Sequence, residues 1–198
     1  MPTTHDYYDD PRNKDIKIYI NGNFFHRNEA KISVMDSGFL LGDGVWEGIR
    51  LNNGKLLHFD KHIERLYNGA RLLAIDIQLS KDEIEQAIMD TIKINGMKSD
   101  VHIRFIVSRG LKKTPYQHPN ATVGAPTVVI IPEYKIADKS VIDTGIKLAL
   151  VDTIRDFRVQ NPHINSLSKH NCIAACIEAV SYTHLRAHET EADLVCRL

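Results

Sequence analysis

Apolar and polar positions change their spacing along the chain, and these changes mark the expected elements. Residues 16–20 alternate and lead into Asn21-Gly22, the strongest short signal for a β-hairpin. Two further alternating runs, 45–51 and 55–59, flank Asn52-Asn53-Gly54 and predict a second hairpin.

Helical spacing follows the second hairpin. Asp60 is expected to cap a helix that reaches Ala74, and Ser80 with Glu83 forms a capping box for another helix, which Gly96 ends. The other apolar runs predict strands over 32–35, 101–108, 127–131 and 146–151, and a helix over 171–180.

This order of elements predicts an α+β fold. We expect a flexible segment over 1–14, a small α+β domain over 15–133, a linker over 134–141 and the start of a second domain over 142–180. Residues 181–198 resemble the peptide that translated sequencing-adapter DNA gives at the ends of environmental reading frames. They are therefore expected to belong to no fold.

Composition excludes several classes of protein. The chain carries 25 acidic and 25 basic residues and no long basic run, which argues against a nucleic-acid partner. Its apolar runs are shorter than the roughly 18 residues that a membrane span needs. Three cysteines in the last quarter are too few for a disulfide framework and indicate a reducing, cytoplasmic compartment. Cys172 and Cys176, one helical turn apart, are expected to be buried thiols, and no metal site is predicted.

The most distinctive stretch runs from Met35 to Arg50. It places Gly38, Gly42, Gly44 and Gly48 around an apolar turn and the start of a strand. Glycine allows positive φ and close approach of the backbone to a ligand. On the residues alone, a glycine-rich connection with core aromatics explains the stretch at least as well as a binding loop does.

This stretch resembles the loop-and-strand signature of class IV aminotransferases, a family that includes branched-chain and D-amino-acid aminotransferases and aminodeoxychorismate lyase. The likeness continues through 53–55 and 58–66 and covers about residues 16–180. It implies the small domain of a fold type IV enzyme, followed by a truncated start of the large domain. It also implies pyridoxal 5'-phosphate as cofactor, an amino acid and a 2-oxo acid as substrates, and a homodimer. Branched-chain specificity is the first expectation; D-amino-acid, R-amine or lyase activity is the alternative.

The resemblance also implies roles for particular residues. Arg65 matches the arginine that binds the cofactor phosphate, and guanidinium groups suit phosphate oxygens. Phe39, Leu40 and Trp46 match positions that wall the substrate side chain, and Arg104 matches a strand arginine near the substrate. From its charge alone, Arg109 is a second candidate for the substrate carboxylate.

The chain departs from the family at the lysine that forms a Schiff base with the cofactor. Counting back from Glu178-Ala179 places Asn165 at that position, and Lys169 lies four residues later. Either Lys169 takes the role through a local shift in register, or the lysine is lost and the protein is a binding domain without catalysis. The family's other cofactor groups lie beyond the part that this chain matches, so the 198-residue chain is expected to be inactive.

Overall fold

A computed structural model describes residues 10–136, 140–145, 150–154, 156, 158 and 161–185. The chain divides into two compact units. The first comprises Asp9–Ile136 and Ile164–Ser168, and the second takes its described residues from Ala137–His163 and Lys169–Leu198. The predicted boundary at 134–141 is therefore crossed again, because Ile164–Ser168 return to the first unit.

The first unit is built on a six-stranded antiparallel sheet with the strand order β2-β1-β8-β5-β3-β4. Its strands are β1 (Lys17–Ile20), β2 (Asn23–His26), β3 (Gly44–Asn52), β4 (Lys55–Leu56), β5 (Val101–Ser108) and β8 (Thr127–Tyr134). Two short strands, β6 (Leu111–Lys112) and β7 (Thr122–Val123), form a separate hairpin.

One face of the sheet is covered by two helices, α2 (Phe59–Leu72) and α3 (Lys81–Ile94). Helix α2 lies against β3, and α3 lies against β1 and β8. Alternate side chains of the central strands, such as Ile49, Ile103 and Phe105, are fully buried on this face. Their period of two matches the pleat of a strand, which puts successive side chains on opposite faces. The mixed helix-and-sheet architecture confirms the predicted α+β class.

Local signals predicted several elements correctly. The hairpin at Asn21-Gly22 forms, and Ser80 and Glu83 make the reciprocal contacts of a capping box. Helix α2, however, begins one residue before Asp60, with His58 as its N-cap in a left-handed conformation (φ 52°). Asp60 lies in the first turn and pairs with Lys81 instead.

The predicted strand over 32–35 is wrong. This segment is irregular and leads into a short helix, α1 (Ser37–Leu41). Buried Asp36 is the reason: its carboxylate accepts hydrogen bonds from the backbone of Gly38 (2.8 Å) and the hydroxyl of Ser108 (2.8 Å), which start a helical turn. Gly42 ends α1 with φ 65°.

The second unit contains α4 (Ser140–Thr144) and α5 (His170–Leu185). Glu178 of α5 accepts hydrogen bonds from the backbone of Asp152 (2.5 Å) and from the hydroxyl of Thr153 (2.8 Å). Helix α5 extends five residues into the segment expected to belong to no fold; 186–198 and the predicted strand residues 146–149 lie outside the described residues. No helix in the described part is long and apolar enough to cross a membrane.

The two cysteines of α5 differ in their burial. Cys172 is buried, as expected, whereas Cys176 is exposed, so the prediction of two buried thiols is wrong for Cys176. Residues four apart on a helix lie on one side of it but about 40° apart around its axis. The second cysteine therefore falls outside the buried stripe that contains Cys172, Ala175 and Ala179.

Candidate active site

The segment Ile164–Ser168 pairs with the start of β3 on the side away from β5. The backbone N–H of Trp46 donates to the carbonyl of Asn165 (2.9 Å), and that of Leu167 donates to the carbonyl of Gly44 (2.9 Å). The indole N–H of Trp46 also donates to the carbonyl of Ser166, 120 residues away along the chain (3.2 Å). These bonds fix the returning segment beside the glycine-rich loop.

Two glycines make this close approach possible. A Cβ at Gly44 would lie 2.5 Å from the carbonyl oxygen of Val107 and 2.6 Å from the side chain of Leu167. A Cβ at Gly69, on α2, would lie 2.7 Å from the side chain of Ile164. The glycines of the distinctive stretch therefore serve close packing here as well as turns.

Beside this segment lies a cluster that we call the Glu47 cluster: Glu47, His62, Arg65 and Asn165. Arg65 donates to both carboxylate oxygens, from Nε to Oε1 (2.7 Å) and from Nη2 to Oε2 (2.6 Å). Nδ1 of His62 lies 2.8 Å from Oε2, and Nδ2 of Asn165 lies 3.2 Å from Oε1. Strand β3, helix α2 and the returning segment each contribute to this cluster.

Glu47 is 0% exposed, in a row of core-facing residues that includes Val45, Ile49 and Leu51. A buried carboxylate is costly unless it is paired and hydrogen-bonded. Here the pairing raises the pKa of Arg65, through its hydrogen bonds with Glu47, while burial opposes the rise. Because an ionised carboxylate only accepts, the contact with His62 requires the proton to be on Nδ1.

Arg65 fits the phosphate end of pyridoxal 5'-phosphate. Its side chain remains 52% exposed although Glu47 engages Nε and Nη2. Among the described residues no hydrogen bond engages Nη1, so one edge of the guanidinium remains available to an anion. The role of Arg65 toward a phosphate stays a prediction.

Position 165 does not fit the aldehyde end of the cofactor. Asn165 carries a carboxamide, which cannot form a carbon–nitrogen double bond with an aldehyde, and its Nδ2 points at Glu47. Lys169 belongs to the second unit, where its carbonyl accepts the first backbone hydrogen bond of α5 from Ile173 (2.9 Å). The choice between these two residues stays open as a prediction.

The face of the sheet opposite the helices is half-buried and carries the aromatic and cationic residues. The guanidinium of Arg104 lies 4.0 Å from the centre of the Trp46 ring, a cation–π contact. Partial burial lowers the pKa of Arg104. Phe39 and Leu40 lie on α1, where Phe39 is 67% exposed and Leu40 is half-buried.

His102 is a residue of this face that was missed in the sequence. It pairs across the strands with Arg50 and lies over Gly48, whose Cβ would be 2.8 Å from the imidazole Nε2. Burial lowers the pKa of His102 to about 4, and the charges of Arg104, Lys135 and Arg50 act in the same direction. The signal was available, because His102 is two residues from Arg104 on one strand and so shares its face.

Arg109 has a different setting from the one expected. It donates to both carboxylate oxygens of Asp43 (2.7 and 3.0 Å) and to the carbonyls of Leu73 and Ala74 (2.7 Å each). Four of its five N–H groups are thus engaged in holding the end of α2 to the loop before β3. We therefore leave Arg109 out of the proposed substrate set.

Comparison with known proteins agrees with this site. The sequence model of the family described as amino-transferase class IV matches residues 44–184. The chain belongs to this family, which confirms the resemblance noted in the sequence.

Individual relatives carry aminotransferase names. The "Putative branched-chain-amino-acid aminotransferase" of Methanocaldococcus jannaschii is 36% identical over 167 residues, which are 83% of this chain and 56% of the relative. The D-alanine aminotransferase of Staphylococcus haemolyticus is 29% identical over 152 residues, 76% of this chain and 53% of the relative. The family is therefore enzymatic, and the chain spans about half the length of these relatives.

Solved structures agree on the fold. The branched-chain aminotransferase of the archaeon Thermoproteus uzoniensis, solved with norvaline, matches with a TM-score of 0.71 and 25% identity, over 85% of this chain and 57% of that one. A bacterial-type match of the same name, a branched-chain amino acid aminotransferase solved with pyridoxamine 5'-phosphate, has a TM-score of 0.73 and 26% identity, over 86% and 57% of the two chains. These matches confirm the fold of a fold type IV aminotransferase for the part that this chain covers.

Proposed function

We propose that the chain forms the phosphate-binding and substrate-facing part of a pyridoxal 5'-phosphate site for amino-group transfer between an amino acid and a 2-oxo acid. The observation that carries the proposal is the half-exposed guanidinium of Arg65, held by a buried carboxylate in a chain of the class IV family. When bound, the cofactor would supply an aldehyde that accepts the amino group and withdraws electrons from the substrate carbon.

The chain's own residues would bind and orient. Arg65 would receive the phosphate through its Nη1 edge, while Glu47 keeps the guanidinium plane fixed. Arg104, placed over Trp46, would attract a carboxylate, and the indole would contact an apolar side chain. Phe39 and Leu40 on α1 would complete that apolar wall.

Branched-chain amino acids are the first choice of substrate. The support is the Trp46–Arg50 run and the naming of relatives such as the M. jannaschii protein. Transfer from D-amino acids or R-amines and lyase chemistry of the aminodeoxychorismate type are the alternatives within the family, and the D-alanine aminotransferase relative supports the first of these.

A second candidate function is binding of the cofactor without turnover. The hydrogen bond from Asn165 to Glu47 favours it, because this amide takes the position that the family register gives to the lysine. In this case the 198-residue chain itself would be inactive. Lys169 as the nucleophile is the rival assignment.

The full protein is proposed to be a cytoplasmic homodimer. Apolar side chains exposed beside the glycine-rich loop, including Val34, Phe39 and Leu41, support an interface with a second copy. Among the described residues Cys172 and Cys176 are not joined in a disulfide, which suits a reducing compartment. Sedimentation of the protein at several concentrations checks the dimer, and a concentration-independent monomer contradicts it.

Equilibrium binding of pyridoxal 5'-phosphate tests the cofactor site. Arg65→Ala should weaken binding about tenfold or more, because a charge-assisted hydrogen bond of about 1.5–3 kcal/mol is lost. Arg65→Lys should restore only part of it, since an ammonium lacks the planar fork. Arg71→Ala is the matched control, as Arg71 is exposed on the same helix and its side chain bonds to Asn68. Equal affinity in the Arg65 and Arg71 variants would refute the site.

A further inference from the structure

We infer that Glu47 is a positioning residue, which fixes the guanidinium of Arg65 in the orientation that a phosphate ester needs. This inference rests on the proposed function, because it takes Arg65 as the phosphate ligand. It adds a role for a residue that does not itself contact the cofactor.

Packing alone does not explain a carboxylate at this position. The neighbouring core positions of β3, Val45 and Ile49, show that the row accepts aliphatic side chains. Replacing a buried ion pair by apolar residues of similar size is often neutral or stabilising. A glutamate in this row is therefore better explained by the geometry that it imposes on its partners.

The contacts of Glu47 leave it no freedom to rotate. Each carboxylate oxygen faces two nitrogens: Oε1 faces Arg65 Nε and Asn165 Nδ2, and Oε2 faces Arg65 Nη2 and His62 Nδ1. These four nitrogens occupy about all the acceptor directions of a carboxylate. His62 and Asn165 thus hold Glu47, and Glu47 in turn holds Arg65.

The consequence for binding is preorganisation. A free, half-exposed arginine samples many rotamers, and an anion must immobilise it on binding. The bidentate pair with Glu47 fixes the guanidinium plane beforehand and turns the Nη1 edge away from the buried carboxylate. An incoming phosphate then finds a donor edge of fixed direction.

Glu47→Gln separates this role from simple packing. Glutamine keeps the size of glutamate, but its amide NH₂ would face N–H donors, so one oxygen-to-nitrogen contact becomes donor against donor. Glu64→Gln is the matched control, because Glu64 is the exposed neighbour of Arg65 and loses the same charge.

The test is an NMR titration of the 198-residue chain with pyridoxamine 5'-phosphate, which binds without aldehyde chemistry and so does not depend on position 165 or Lys169. Two quantities are read: the dissociation constant and the exchange rate of the Arg65 Nε–H signal. Glu47→Gln should weaken binding about tenfold and make that N–H exchange faster, while Glu64→Gln changes neither by more than about twofold.

The outcomes distinguish this inference from the proposed function. If Arg65→Ala weakens binding and Glu47→Gln does not, Glu47 has no positioning role and the proposed phosphate site stands. If Arg65→Ala has no effect, both fail. Should Glu47→Gln not fold, Glu47→Asp keeps the charge but shortens the reach; unchanged affinity and unchanged Nε–H exchange in that variant would equally overturn the inference.

Discussion

His102 makes the stability of the first unit sensitive to acid. It is held neutral in the folded chain by burial and by the positive charges of Arg104, Lys135 and Arg50, which lower its pKa from 6.5 to about 4. In the unfolded chain the imidazole has its ordinary pKa. Between these two values the unfolded state binds a proton that the folded state does not, so stability falls as the pH falls.

The magnitude follows from the difference in pKa. Each unit between the folded and unfolded values corresponds to about 1.4 kcal/mol, so the full effect of lowering the pKa from 6.5 to about 4 is roughly 3 kcal/mol. Because the ring is only partly buried, solvent screening reduces this, and we expect about 2 kcal/mol. Above pH 6.5 both states are neutral at this residue and it contributes no pH dependence.

The assay is urea unfolding at about pH 7 and about pH 4.5 for the wild type and for His102→Asn, which cannot titrate in this range. The wild type should lose about 2 kcal/mol more than the variant between the two pH values. His58→Asn is the matched control, since His58 is exposed and asparagine tolerates its positive φ. An equal loss in the wild type and His102→Asn would refute the placement of His102 among the three cations.

Further predictions concern the packing around the site. Gly44→Ala should destabilise the chain by about 2 kcal/mol or more, because its Cβ meets backbone atoms, while Gly48→Ala should cost under about 1 kcal/mol, because it meets only the movable ring of His102; equal midpoints of urea unfolding would contradict this. Arg109→Ala should lower the free energy of unfolding by about 3 kcal/mol, since it leaves Asp43 and two carbonyls without their partner. A loss below about 0.5 kcal/mol, the range of an ordinary surface substitution, would show that Arg109 is not a structural clamp.

Features determined by neighbouring residues were predictable from the sequence. The Asn21-Gly22 turn and the Ser80–Glu83 capping box need only residues a few positions apart, and both are present. The start of α2 was misplaced by one residue, because the carboxylate of Asp60 pairs with Lys81, 21 residues away, rather than capping the helix.

Features determined by distant partners were not predictable in the same way. Arg109 looks like a free cation in the sequence, and only the fold brings Asp43 and the end of α2 to it. Glu47 alternates with core residues, which could have marked it as buried, but its partner Asn165 lies 118 residues away. The glycine-rich motif indicated the family because its spacing is local, while the cluster behind Arg65 required the folded chain.

The most direct test of the account is to ask which residue faces the cofactor aldehyde. The protein loaded with pyridoxal 5'-phosphate is reduced with borohydride, digested and analysed by mass spectrometry, in the wild type and in Asn165→Lys and Lys169→Ala variants. The account predicts no pyridoxyl label on Lys169 in the wild type, and a label at position 165 in Asn165→Lys that persists when Lys169→Ala is added. A pyridoxyl label on Lys169 of the wild type, abolished by Lys169→Ala, would contradict it.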